Sequence, residues 1–526
     1  MVHMGKIRES CRFLNLQNLF LRNFIIGKDA FMDWDDYEGW SKKISTWGAN
    51  YHKTLRDYPV RSQIKPGEIL NKLDTSAPEE GSKMEEIMKD FRDIVMPGMT
   101  HWQHPRFFAY FPSNASPPAI LADFLTSTMA AQCMLWQTSP AATEMETRMM
   151  EWLGKAIGLP KHFKGVIQDS ASSASLTAIL TMRERALNWQ GNEKGLTNQN
   201  QIRIYASNES HSSIDRAIWI AGIGQENLVK LPVVGNLRAS DPEALRKAIK
   251  ADILSGFTPA GLICVTGATG MGACDNISEM IEVAEEFDLY THVDAAWAGS
   301  AMICPEFRYL WKGVEDADSV VLNPHKWLGV QFDCSAHFLK TPSDLVRTLA
   351  IKPEYLKTYG QEGAINYSEW SIPLGRRFRA LKLWFLFRSY GLENLRTRIR
   401  NHVFWSDSLA KKLERTPYFE IVTDPILALF TFRYAPPCCE DLNEFNQQLV
   451  ELINNDGRIY LTQTNVSGQT VIRFQTGQFE TTQDDVDQAY FVIREMAENL
   501  SKSMQPRKLT KQQSDVDQSN NIFLKT

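Results

Sequence analysis

From Gly165 to Asn323 the chain alternates short apolar runs with segments whose apolar positions recur every three or four residues. "GVIQ" (165–168), "IRIYAS" (202–207), "AGLICVTG" (260–267), "YTHVDAA" (290–296) and "SVVLN" (319–323) read as strands. "LTAILTMRERALNW" (176–189), "SIDRAIWIAGI" (213–223) and "ISEMIEVAEEFD" (277–288) read as the helices between them. Strands of continuous apolar character alternating with helices predict a mostly parallel sheet covered on both faces. Ligands of such sheets bind in loops beyond the strands' carboxyl ends.

On either side the pattern changes. "MDWDDYEGWSKKISTWGANYHKTL" (32–55) and "KMEEIMKDFRDIVMPGMTHW" (83–102) are helical, the second stopped by Pro97-Gly98. Downstream, "RRFRALKLWFLFRSYG" (376–391) and "NLRTRIRNHVFWSDSLAKKLER" (394–415) are long helices. "FEIVTDPILALFTFRY" (419–434) reads as paired strands, followed by a helix at 442–457, a strand at "TVIRFQT" (470–476) and a last helix at 482–500. This tail end predicts a small α+β domain. Residues 1–31 are basic and amphipathic without a secretory h-region or cleavage site, and read first as a plain extension or a start assigned too early, with Met32 the true start, and second as a mitochondrial targeting peptide. The polar stretch after Leu500 reads as disordered.

With 57 Lys+Arg against 62 Asp+Glu, the net charge of −5 carries no basic stripe and argues against a nucleic-acid partner. No apolar run approaches the roughly 20 residues of a spanning helix, so no membrane association is expected. The eight cysteines form no C-x-x-C pair and no zinc spacing with histidine, so they are expected to be reduced thiols of a cytoplasmic protein, with no metal.

Two residues carry the chemistry. Asp294 ends one apolar strand and Lys326 follows the next, in "NPHKWLGVQFDCSA". A lysine is costly to bury unpaired. Adjacent parallel strands would bring both to one sheet edge, and an acid beside a desolvated lysine suits pyridoxal phosphate, which needs an amine as covalent anchor and an acid at its ring nitrogen. "GVIQDSASSASLTAIL" adds a strand, a hydroxyl-rich loop and a helix start, where Ser170, Ala171 and Ser172 can cradle a phosphate. Thr269, Asn323 and His325 stand at strand ends within reach of the same group, and His211 occupies a strand-to-helix loop from which its ring could stack on the cofactor and donate a hydrogen bond. Taken singly, each of these has an ordinary reading as a cap or packing residue.

Six ordered motifs, "HWQHPRFFAYFPSNAS", "WQTSPAATEMETRMMEWLG", "GVIQDSASSASL", "HVDAAWAGSAMICPEFR", "NPHKWLGVQFDCS" and "IPLGRRFRALKLWF", resemble the aromatic-L-amino-acid decarboxylases, group II pyridoxal-phosphate-dependent enzymes. The resemblance runs from about Trp34 to about Leu500. It implies an α/β fold-type I enzyme: a mostly parallel central sheet in the large domain, an N-terminal helical segment and a small C-terminal α+β domain. The segments expected are an extension (1–31), a helical dimerisation segment (32–115), a cofactor domain (116–400), a small domain (401–500) and a tail (501–526). Lys326 would bind the cofactor covalently, with Asp294 at the ring nitrogen, Ala296 and His211 on the two ring faces, and Ser170, Ala171, Ser172, Thr269, Asn323 and His325 around the phosphate. Trp102, Tyr110, Pro112, Ser113 and Gly375 would meet the substrate with His211. Tyr355, in "KTPSDLVRTLAIKPEYLKTYGQEGAINY", would complete the reaction from a mobile loop. The family is an intertwined homodimer with its active site at the interface. At two pocket positions supplied by the partner, familiar animal members carry isoleucine and phenylalanine; here Gln132 and Met134 stand there, which leaves the choice of aromatic substrate open. The expected reaction converts an aromatic L-amino acid to its amine and CO2. An aromatic aldehyde synthase, an aminotransferase using the same Lys and Asp, and a non-catalytic scaffold remain as alternatives.

Overall fold

The apolar runs become the middle of a seven-stranded sheet. In the computed structural model, which describes residues 32–351, 363–437 and 439–504, the first nine strands are β1 (Lys164–Gln168), β2 (Ile202–Ser207), β3 (Leu228–Leu231), β4 (Val233–Val234), β5 (Ala239–Ser240), β6 (Thr258–Val265), β7 (Tyr290–Asp294), β8 (Ser319–Leu322) and β9 (Ser335–Leu339). The sheet order is β1-β9-β8-β7-β6-β2-β3, and β4 with β5 forms a separate two-stranded ribbon. Pairings from β8 through β3 are parallel, whereas β9 runs antiparallel to both β8 and β1. Every residue of β7 and β8 is buried, as expected for central strands covered on both faces. β9, "SAHFL", is not apparent from the apolar pattern, because a five-residue run interrupted by His337 is too short to stand out; it is nonetheless wholly buried.

The chain divides into two compact units, one ending at His101 and one beginning at Trp102. The first contains the helix Trp34–Thr54, capped by Asp33, whose carboxylate accepts from the N–H groups of Asp35 and Asp36 at 2.8 and 3.1 Å. None of its 21 residues is buried. The second unit holds the large sheet and a four-stranded one made of β10 (Phe419–Ile426), β11 (Leu429–Tyr434), β12 (Thr462–Val466) and β13 (Gln469–Gln475), in the order β10-β11-β13-β12. β12 is a half-exposed edge strand of mostly polar residues, which hides it from an apolar search. The two long helices expected between the sheets meet at Gly391 (φ 66°, ψ 165°) within Arg379–Glu414; the sign of φ there is one glycine tolerates without strain. Leu395 and Ile399 belong to the core of the large sheet, and Leu409, Ala410 and Leu413 to that of the small one.

A buried ion pair fixes the segment that carries Gly375. Arg376 and Glu146 expose 2% and 4% of their side chains and bond to one another. Glu146 also accepts from the Ile167 N–H at 2.8 Å, while Arg376 donates to Ser371 Oγ at 2.8 Å and to the Ile167 carbonyl at 3.1 Å. Breaking such a pair strands a buried charge, a loss of about 3–5 kcal/mol. Glu146→Ala should therefore lower the unfolding free energy by that amount in a denaturant titration. A loss under about 1 kcal/mol, the worth of a surface pair, would contradict it.

Candidate active site

Register places the two chemical residues. Asp294 pairs with Val321 across β7 and β8, and the bonds Ala295 N–H to Val321 O (3.0 Å) and Asn323 N–H to Ala296 O (2.8 Å) carry the pairing past both strand ends. The chain then turns into Pro324–Trp327, one helical turn that delivers Lys326 beside the Asp294 end of β7. Asn114 locks this turn from outside: its amide donates to the Lys326 and Gly477 carbonyls, and its Oδ1 accepts from Phe479 N–H at 2.7 Å. Asp294 directs one carboxylate oxygen to the Ala296 N–H, 3.0 Å away.

One cleft gathers Ser170, Ala171, Ser172, His211, Thr269, Asp294, Ala296, Asn323, His325 and Lys326. All ten residues expected around the cofactor, from five separate stretches of sequence, thus converge. Ser170 caps the helix Ala171–Ala186 by accepting from Ser173 N–H at 3.2 Å. The N–H groups of Ala171 and Ser172 have no partner within that helix, as for any first turn, and face an anion site at the positive end of the dipole.

The electrostatics suit an amine that must act as a nucleophile. Burial pushes the Lys326 ammonium below its usual range; Asp294 works against this, and Arg473 adds to it. Burial holds His325 down to about 3, so the ring is neutral. Its Nδ1 accepts from Cys334 N–H at 2.9 Å, which leaves the proton on Nε2. His211 is also shifted down, first by burial, then by the opposed influences of Asp294 and Lys326.

Several residues of the site were not foreseen. Ser213, Val265, Gly267, Ala268 and Phe332 also line the cleft. At Gly267 (φ +77°) a Cβ would come within 2.5 Å of Ala298 Cβ and 2.9 Å of the Trp297 ring, so no larger side chain fits. Arg473, on β13, is nearly fully buried and donates to the Thr269 and Gly270 carbonyls at 2.7 Å each, to Thr462 Oγ1 at 2.8 Å and to the Tyr110 carbonyl at 3.2 Å. It pins the Thr269 loop to the small sheet. An arginine inside the apolar strand "TVIRFQT" was the available signal.

Apart from His211, the residues expected to meet substrate do not line this cleft. Trp102 and Tyr110 stack at 5.9 Å and are 40% and 47% exposed. Pro112 is buried, and the Ser113 carbonyl accepts from Gln103. Gln132 and Gly375 are exposed neighbours: Gln132 Oε1 accepts from Arg376 N–H at 2.7 Å, and a Cβ built on Gly375 would lie 3.2 Å from Gln132 Nε2. The Met134 carbonyl accepts from Ser368 N–H at 3.1 Å. Tyr355 lies outside the described residues.

The donor set fits pyridoxal 5′-phosphate. The half-buried lysine and the carboxylate sit at adjacent strand ends, and the first-turn N–H groups and the Nε2–H of His325 could serve as neutral phosphate donors. Asn323, just past the end of β8, lines the same cleft, and its side-chain NH2 can donate to an anion there. Fold and cleft together fit a pyridoxal-phosphate enzyme. Among the described residues no cluster of His, Cys, Asp and Glu could hold a metal ion.

Comparison with known proteins narrows the class. The family profile "Pyridoxal-dependent decarboxylase conserved domain" matches residues 66–435. Tryptophan decarboxylase 2 of Oryza sativa subsp. japonica is 37% identical over 477 residues, covering 89% of this chain and 95% of the relative. Phenylacetaldehyde synthase of Arabidopsis thaliana is 38% identical over 463 residues, covering 86% and 94%. A crystal structure of Oryza sativa TDC with PLP and tryptamine superposes with a TM-score of 0.86 at 33% identity, covering 89% of this chain and 99% of that one. The chain belongs to the pyridoxal-dependent decarboxylase family, in its aromatic-L-amino-acid decarboxylase group. Its cofactor is pyridoxal 5′-phosphate.

Proposed function

We propose that this enzyme converts an aromatic L-amino acid, of the tryptophan, DOPA, tyrosine or phenylalanine class, to the corresponding amine and CO2. The observation that carries the reading is the convergence of Lys326 and Asp294 on adjacent strand ends beside a helix N-terminus. Pyridoxal phosphate, when bound, supplies an electron-poor ring that takes up the electron pair left as CO2 departs. Lys326 would hold the cofactor through its desolvated amine. Asp294 would hold a proton at the ring nitrogen, and Ala171, Ser172, Thr269, Asn323 and His325 would bind the phosphate. Ala296 and His211, which line the cleft, would hold the cofactor ring and orient the substrate for loss of its carboxylate. Tyr355 returns a proton to Cα.

The working form we assign is a homodimer. The helix Trp34–Thr54 buries none of its residues, and the helix Pro117–Met129 exposes Ile120, Leu121, Phe124, Leu125 and Met129. A second copy would cover such apolar surface and bring Gln132 and Met134 to the partner's cleft. Gly375 leaves room for a wide ring, which favours indole or catechol substrates over histidine. The buried thiols of Cys264, Cys274 and Cys334, each held protonated by burial, suit a cytoplasmic protein. Among the described residues no helix is long and apolar enough to cross a membrane.

The second reading, an aldehyde synthase, has support in the relative from Arabidopsis. The two differ in the fate of the electron pair at Cα: a prompt proton gives amine, whereas slow protonation lets oxygen intervene and gives aldehyde, ammonia and peroxide. With Tyr355 and His211 both present, amine is the expected product. Tyr355→Phe removes one oxygen atom and should divert the same amino acid to aldehyde with oxygen uptake. An oxygen electrode with product chromatography decides: stoichiometric peroxide from the unaltered enzyme overturns the decarboxylase reading, and an unchanged amine yield from Tyr355→Phe overturns the role of Tyr355.

A further inference from the structure

His211 stands at a boundary: it caps the helix Ser212–Ile220 and lines the cofactor cleft. Histidine is an unusual cap, since the preferred residues are Ser, Thr, Asp and Asn. Here the ring does the same work. Its Nδ1 accepts from the Ser213 backbone N–H at 3.2 Å and lies 2.9 Å from Ser213 Oγ. A backbone N–H can only donate, so Nδ1 must present its lone pair and cannot carry hydrogen. The neutral ring therefore has its proton on Nε2. Protonating Nδ1 would set two N–H groups against each other at the positive end of a helix dipole, which disfavours the cation further.

We propose that the N-terminus of the helix Ser212–Ile220 locks His211 as its neutral Nε2–H tautomer, so that the ring is a standing hydrogen-bond donor to the cleft and not an acid–base group. Ser213 is thereby a positioning residue, and its backbone N–H matters more than its hydroxyl. The inference deepens the proposed reaction, because it says what His211 offers there: one fixed donor whose charge does not change near neutral pH.

The charged groups around the ring do not all act in one direction. Asp294 and Asp215 favour the imidazolium, while Lys326 and Arg216 oppose it, and burial, the largest influence, also opposes it. The cap adds an opposing contact with a definite geometry. If its donor is removed, the neutral form loses support and the ring takes up a proton at higher pH.

The structure supplies a clean way to remove that donor. Ser213 is the second residue of its helix, a position whose N–H has no partner within the helix. Proline is tolerated in a first helical turn, and this chain already carries Pro118 at the matching position of the helix Pro117–Met129. Ser213→Pro deletes the N–H; Ser213→Ala deletes only the hydroxyl.

The test is NMR of protein carrying ring-¹³C histidine in a deuterated background, with the His211 signals assigned by their loss in His211→Gln. Spectra are taken with and without bound cofactor, so the result does not depend on turnover. The tautomer can then fail independently of the decarboxylase reading, which amine analysis tests. Expected are an Nε2–H signature in the unaltered protein, no titration step near the ordinary histidine midpoint of about 6.5, and the same behaviour in Ser213→Ala. Ser213→Pro should show a titration step shifted up, and its kcat/KM should gain an acid limb that the unaltered enzyme lacks, with KM changing less than kcat. An Nδ1–H signature or a charged ring at pH 7 in the unaltered protein would overturn the proposal. So would a tautomer change in Ser213→Ala, or a folded Ser213→Pro with unchanged titration. If Ser213→Pro does not fold, the unaltered and Ser213→Ala spectra decide alone.

Discussion

Lys326→Ala is expected to lower kcat/KM by more than about 10³-fold, or ~4 kcal/mol at 1.36 kcal/mol per decade. The substitution removes the one amine that the fold buries at the Asp294 end of β7. Among the described residues no neighbour can replace it. Arg473 is spent on four oxygens behind the Thr269 loop, and a guanidinium is a poor nucleophile in any case. Lys382, also buried, donates to the Gln331 carbonyl at 3.0 Å and does not line the cleft. Loss of the covalent anchor should also remove the yellow colour of the enzyme. Borohydride reduction followed by peptide mass spectrometry of the unaltered enzyme should place the phosphopyridoxyl mass on the peptide containing Lys326. Finding it on another lysine would refute the assignment.

Asp294→Asn is the second large effect. An amide keeps the shape of the side chain and can still accept from the Ala296 N–H, so the strand end should hold. What disappears is the negative charge beside Lys326 that we assign to the ring nitrogen. Removing one such preorganised group lowers kcat by about 10²–10³-fold, ~3–4 kcal/mol. The sign of a second consequence is fixed by the same charge. Asp294 raises the Lys326 pKa against burial and Arg473; without it the lysine pKa falls further, so in the cofactor-free protein the Lys326 amine should titrate at lower pH than in the unaltered chain. Activity within about threefold of the original would mean that Asp294 is a structural cap, the ordinary reading of a lone aspartate at a strand end.

The parts of the site that the sequence revealed are those tied to backbone pattern. Apolar runs announced β7 and β8, and their register then brought Asp294 and Lys326 together without further information. Ser170–Ser172, an ordinary helix-capping loop when taken alone, were legible only because the Asp294 and Lys326 strands follow it in the chain. The contacts between distant segments were not legible. Arg473 reaches the Thr269 loop from about 200 residues away in sequence, and β9 slots between β1 and β8 with no pattern to announce it. Ser213 escaped because its contribution is a backbone N–H, which every residue but proline owns. Trp102, Tyr110, Pro112, Ser113, Gln132, Met134 and Gly375 were reached only through resemblance. Their absence from the cleft of a single chain is a matter of surfaces, which hydrophobic periodicity does not encode.

The most direct test of the central claim is a balance of products from carboxyl-labelled amino acids. Purified holoenzyme would be given tryptophan, DOPA, tyrosine, phenylalanine and histidine in turn, with released CO2, amine, aldehyde and oxygen uptake measured in one sample and no oxo-acid added. The account predicts one CO2 and one amine per amino acid consumed, without oxygen uptake, and a higher kcat/KM for an indole or catechol substrate than for histidine. Consumption of amino acid without CO2 release, or release of CO2 matched by aldehyde and oxygen in place of amine, would contradict it.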